Sequence, residues 1–324
     1  MDNDSNLANV LAVDIGGSRF RVGLFDREGR RLRLLEGDTV RSGGRDWMLK
    51  EVQNRCRALL DKSGAPVKAC GVSFGGPVDF RRQLVRSIHS PGWEDFKLAH
   101  WVEETFNLPC RVDNDANCGA LGEYRFGAAR GAKSVVYITL STGIGGGLVL
   151  DGKVHRGKDS LAGELGHMRV SDTDTPCSCG ARGCLEAFCS GIAIATRAQE
   201  LATRRPEGAG RMAELSASPE NISARAVYQA AAEGELAAVQ IVSEASRWLA
   251  RAVLILIRTL DPDKIVLGGG VTAAGNMFLL PVQGFLREFS ASSSIGFSTE
   301  VELAELGQYS PLYGAAALAL ELLC

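Results

Sequence analysis

Two glycine-rich turns, each set between β-rich segments, recur along this chain of 324 residues and limit its fold more than any other feature. The first, Asp14-Ile15-Gly16-Gly17-Ser18, lies between Val10–Val13 and Arg19–Phe25, where Phe20, Val22 and Leu24 alternate on one face. The second, Ser141-Thr142-Gly143-Ile144, lies between Ser134–Leu140 and Gly145–Leu150. Glycine lacks a Cβ and lets backbone N–H groups approach an anion, so both turns suit a phosphate; either alone is equally well explained as a plain hairpin. Their recurrence, with Gly268-Gly269-Gly270 following a third strand at Ile265–Leu267, favours a nucleotide. Gly16, Gly17 and Ser18, then Thr142, Gly143 and Gly145, and finally Gly269 are the candidate phosphate contacts, and Asp14 is placed to orient a hydrated Mg2+. No G-x-x-x-x-G-K-[ST] occurs, so neither turn is a P-loop.

The length is comfortable for two domains. Apolar residues at 48, 52, 56, 59 and 60 follow helical spacing, Lys68–Phe74 reads as a strand, and Cys110–Val112 is a strand running into a helix that extends to Phe126. Further helices are expected over Leu185–Arg204, Ala224–Glu233, Leu236–Leu260 and Tyr313–Leu323, with a polar surface excursion over Arg204–Ser223. This pattern predicts an α/β protein of two related lobes: residues 1–118, rejoined by a last helix at 309–324, and a larger lobe at 119–308.

Between Gly163 and Glu186 the periodicity lapses in a loop too long for a plain connector. It carries Cys177, Cys179 and Cys184 among turning glycines, with His167 ten residues upstream. Three thiols and an imidazole make a Cys3His set for a closed, structural zinc. The loop is read as separate from the phosphate turns. Asn114-Asp115 sits at a strand-to-helix junction, where an acid serves either as a cap or as the carboxylate that takes a proton from a phosphorylated alcohol.

Composition excludes several classes. A net charge of −2 provides no general attraction to nucleic acid or anionic lipid. The amino terminus, MDNDSNLANV, lacks the basic-then-apolar character of an export signal, and the most apolar run, Ala252–Ile257, is bracketed by arginines. Nine cysteines, an odd number, argue against a disulfide framework and for a reducing, cytoplasmic setting.

Together these residues resemble the ROK family (repressors, open reading frames and kinases). The resemblance runs over nearly the whole chain: Asp14-Ile15-Gly16-Gly17, Gly76-Pro77-Val78-Asp79, Pro91-Gly92-Trp93, Asn114-Asp115-Ala116-Asn117, Glu164-Leu165-Gly166-His167, Cys177–Glu186, Gly268-Gly269-Gly270 and Gly314-Ala315-Ala316. It implies a two-lobed actin/hexokinase-like (ribonuclease H-like) ATPase fold in which ATP and a hexose meet in an interdomain cleft. It further implies Asp115 as catalytic base, with Asn114, Glu164, His167, Glu186 and the backbone at Gly76 holding sugar hydroxyls. His167 would serve twice, one ring nitrogen on zinc and the other toward the sugar. The implied activity is a glucokinase feeding glycolysis, with N-acetylmannosamine, N-acetylglucosamine or fructose as alternative substrates, and a homodimer as the assembly. A sugar-sensing regulator is the non-enzymatic alternative; the 13 residues before Asp14 leave no room for the DNA-reading module of a repressor. Gly75-Gly76-Pro77 and His89-Ser90 depart from the family's usual residues and bear on the choice of sugar.

Overall fold

In the computed structural model, which describes residues 8–86, 91–205, 210–291 and 293–323, the chain interleaves between two units. One comprises residues up to Ala132, Gly147–Gly163 and Tyr309 onward; the other comprises Lys133–Gly146 and Glu164–Gln308. His89 and Ser90 lie outside the described residues.

The first unit opens with strands β1 (Asn9–Ile15), β2 (Arg19–Phe25) and β3 (Arg31–Asp38), followed by helix α1 (Gly44–Leu60) and strand β4 (Val67–Phe74). A small ribbon of β5 (Val78–Asp79) and β6 (Leu84–Val85), helix α2 (Leu98–Phe106), strand β7 (Cys110–Asn114) and helix α3 (Asp115–Phe126) complete its amino-terminal run. The sheet order is β3-β2-β1-β4-β7, with β1 antiparallel to β2 and parallel to β4. β1 is buried along its whole length because both sheet faces are covered. Leu11, Val13 and Ile15 join the cluster containing Met48, Val52 and Leu98, whereas Val10 and Ala12 face Leu312, Ala315 and Ala316 from the end of the chain.

The remaining elements are β8 (Val135–Leu140), β9 (Ile144–Leu150), β10 (Lys153–Val154), α4 (Glu186–Cys189), α5 (Gly191–Arg204), α6 (Gly210–Glu214), α7 (Ala224–Ala232), α8 (Leu236–Leu260), β11 (Lys264–Gly268), α9 (Asn276–Ala291) and β12 (Glu300–Leu303), of which β10 and the end of β9 fall within the first unit. A second sheet runs β10-β9-β8-β11-β12, with β11 parallel to both β8 and β12. The helix expected over 185–204 is two helices, broken at Ser190: its extended backbone (ψ 163°) ends α4, and its side chain caps α5 by accepting from the Ala193 amide. Of the excursion expected over 204–223, residues 206–209 lie outside the described residues, and the rest carries α6 and a short 3-10 turn at Pro219–Asn221.

Helix α10 (Ser310–Leu320) returns to the first unit and packs on α3, where Gly314 lies against the Cys118 carbonyl so closely that a Cβ has no room. The buried Glu123 of α3 accepts from Ser310 Oγ at 2.6 Å, pinning the start of α10. This seating fixes the axis of the helix whose first residue is Asp115.

Candidate active site

In the first unit, the hairpin register sets Asp14 opposite Arg21, and the parallel pairing with β4 sets it beside Ser73. Arg21 Nη1 donates to Asp14 Oδ2 and Ser73 Oγ to Asp14 Oδ1, both at 2.9 Å, while Arg21 Nε reaches Glu36 at 3.0 Å. Burial raises the Asp14 pKa, and Arg21 and Ser73 offset part of that cost. The turn after Asp14 is tied back through its carbonyls: Thr39 Oγ1 donates to Gly16 O, Arg41 Nε to Gly17 O and the Thr39 amide to Ser18 O. The amides of Gly17 and Ser18 have no protein acceptor among the described residues, as an anion site needs.

At the head of α3, Asn114 is extended (ψ 148°) and its side-chain oxygen accepts from the Ala116 and Asn117 amides. Asn114 is therefore the cap, and its Nδ2 also donates to the Gly76 carbonyl at 3.0 Å. Asp115 keeps one oxygen on the Ala116 amide at 2.9 Å, while Oδ2 lies beside Gly75. Burial, and then the negative charge of Asp14, push Asp115 up to about 7 despite its position at a helix start. Behind it Asp113, 2% exposed, is held by Arg156 through two 2.7 Å contacts and by Asn117 Nδ2 at 3.0 Å, with the Arg156 guanidinium stacked over Phe80. Sequence reading does not single out Arg21, Ser73, Asp113 or Arg156; of these only Arg21 was accessible, from the symmetric pairing about the Gly17-Ser18 turn.

The second unit repeats the turn design. The carbonyls of Ser141 and Thr142 accept from the Gly191 and Ile192 amides at the start of α5, and Ser141 N donates to Gly143 O. The Thr142 and Gly143 amides are again without a protein acceptor among the described residues. Gly269, at φ 91°, abuts the Leu140 carbonyl at the end of β8, next in sequence to the turn that carries Thr142 and Gly143.

The loop between Gly163 and Glu186 brings its four candidate ligands together. The side-chain donors of His167, Cys177, Cys179 and Cys184 all lie within 4.8 Å of one another. His167 Nδ1 is 3.6 Å from Cys177 Sγ, and Cys179 Sγ is 3.9 Å from Cys184 Sγ. Tetrahedral zinc with Zn–S near 2.3 Å spaces its sulfurs by about 3.8 Å, so the donor set fits that ion. Burial and the two neighbouring thiols push Cys184 up to about 12, a cost a divalent cation removes. His167 Nε2 faces Glu164 at 3.9 Å.

Glu186 is not set apart from the Ser141–Ile144 turn as the sequence suggests. Its Oε2 accepts from the Ile144 amide at 2.9 Å, and its Oε1 from Ser178 Oγ at 2.7 Å. Gly143 leaves room for this contact, since a Cβ there would have to displace the Glu186 carboxylate.

A family model described as ROK family matches residues 10–322. The glucokinase of Thermotoga maritima is 32% identical over 310 residues, spanning 95% of this chain and 96% of that protein. The crystal structure of a ROK family glucokinase from Streptomyces griseus in complex with glucose and AMPPNP aligns at a TM-score of 0.83 with 33% identity, covering 97% of this chain and 99% of that one. A ROK hexokinase from Thermus thermophilus aligns at 0.82 with 32% identity, over 97% and 99% of the two chains.

Proposed function

Because the chain belongs to the ROK family, we propose that it is an ATP-dependent hexose kinase, a glucokinase that forms glucose 6-phosphate. One observation carries this reading: Asn114 does the capping at the head of α3, which leaves Asp115, with its pKa near 7, to take a proton. A general base works best with a pKa near the working pH, and burial together with Asp14 sets that value.

In this reading Asp115 aims the 6-hydroxyl and accepts its proton as the phosphoryl group is transferred. Asn114, Glu164, His167 and Glu186, with the backbone at Gly76, hold the remaining hydroxyls. Gly16, Gly17, Ser18, Thr142, Gly143, Gly145 and Gly269 hold the nucleotide, the amides of Gly17, Ser18, Thr142 and Gly143 having no protein acceptor among the described residues. Mg2+ neutralises charge on the transferring phosphates. Asp14 is 4% exposed and already hydrogen-bonded through both oxygens, so it meets a hydrated Mg2+ through remaining lone pairs rather than direct ligation. Zinc on His167, Cys177, Cys179 and Cys184 is structural, because four protein donors leave it no open position. Among the described residues no helix is long and apolar enough to cross a membrane; a cytoplasmic homodimer at the entry to glycolysis completes the reading.

ADP release measured across a panel of hexoses and N-acetylhexosamines, with position-resolved NMR of the product, tests it. Glucose should give the highest kcat/KM and phosphate should appear on the 6-oxygen; phosphate on another carbon overturns the assignment of Asp115. Asp115→Ala should bind glucose yet lower kcat by about 10²-fold or more. ADP release absent with every sugar would favour the sensor reading.

A further inference from the structure

The metal-ligand loop and the Ser141–Ile144 turn share one backbone segment. The Ile144 amide donates to Glu186, two residues after the ligand Cys184. The Ile144 carbonyl abuts Gly166, one residue before the ligand His167, so closely that a Cβ there has no room. Both ends of the loop therefore grip Ile144, and the Leu185 amide joins those ends by donating to Met168 O at 2.9 Å. The second Glu186 oxygen is held from inside the loop by Ser178, which lies between Cys177 and Cys179.

We propose that Glu186 is a positioning residue, a strut through which the metal-closed loop sets the geometry of the Ser141–Ile144 turn, so that metal occupancy governs nucleotide affinity as well as sugar affinity. The inference rests on the reading of that turn as a phosphate grip. The amides of Thr142 and Gly143 grip phosphate only if the turn keeps its carbonyls directed away, and Ile144 is the residue that anchors its distal side. With the four ligands released, Ser178 is no longer held and Glu186 loses its orientation. A carboxylate has about four acceptor sites, so the two bonds to Ile144 and Ser178 leave the others for a hydroxyl.

Calorimetric titration with AMPPNP, without sugar, reads the strut directly. Ser178→Ala retains all four ligands and should keep its zinc, yet bind AMPPNP about threefold or more weakly, while Glu186→Ala should lose about tenfold or more, the scale of a charge-assisted hydrogen bond. Glu186→Gln, whose amide oxygen still accepts from Ile144, should recover most of that loss. Chelated wild-type protein, checked for retained fold by circular dichroism, should weaken as Glu186→Ala does and recover when zinc is returned. Unchanged AMPPNP affinity in Glu186→Ala and in chelated protein, with glucose affinity lost, overturns the strut and leaves Glu186 a sugar residue. Gly143→Ala separates the two readings: if this variant also binds AMPPNP as wild type does, the turn is not the nucleotide grip, and the strut falls with it.

Discussion

At residue scale the division of labour between Asn114 and Asp115 matters most. Both were visible in the sequence at a strand-to-helix junction, but which one capped the helix was not, since either side chain can accept from the first-turn amides. The structure gives the cap to Asn114 and leaves Asp115 with a pKa near 7. The value of kcat/KM should accordingly rise with pH through about 7 and level off above it, and a flat kcat/KM between about pH 5.5 and 8 would remove Asp115 as the base. Stability runs the opposite way. The folded pKa lies above the ordinary value near 4, so Asp115 favours folding while protonated, and that contribution is lost as pH rises from about 4 through 7. Asp115→Asn should therefore melt above wild type at about pH 8, lose that advantage toward about pH 4, and be nearly inactive throughout.

At the scale of elements, reading succeeded where a segment has its own period and failed where a neighbour defines it. The spacing of apolar residues placed α7 and α8 within a residue of their observed ends. The polar, half-exposed β3 was missed because it is a strand only by pairing with β2, and α9 was missed because Pro281 in its interior argues against a helix. The break at Ser190 was hidden within an apolar run that reads as continuous. Its consequence is measurable: Ser190→Ala removes the cap of α5 and should cost about 1 kcal/mol in denaturant unfolding. The same change loosens the amides that hold Ser141 and Thr142, so AMPPNP affinity should fall with it; an unchanged denaturation midpoint would show that the cap is dispensable.

For the whole molecule, the proposed zinc is the feature with the widest reach. The loop it would close holds little regular structure, so in that proposal much of its order depends on the ion. Elemental analysis should find one zinc per chain, and chelation should lower the melting temperature and make it respond to added zinc; a metal-free preparation with full activity and unchanged melting would refute the zinc assignment. The small net charge fits substrates recognised by local amides and carboxylates rather than by a long-range field.

The sequence by itself determined the two turns, the strands beside them, the cluster of His167 with Cys177, Cys179 and Cys184 and the junction that carries Asp115. Each is written in neighbouring residues, as a period, a glycine where a backbone must come close, or a clustered spacing of ligands. Only the tertiary structure decided that Arg156 holds Asp113 from 43 residues away, that Glu186 reaches Ile144 across 42, and that α10 returns to seat α3. Those pairings depend on which segments the sheets bring side by side. No local pattern encodes that choice, because an arginine or a glutamate looks the same in sequence whether it meets water or a buried partner.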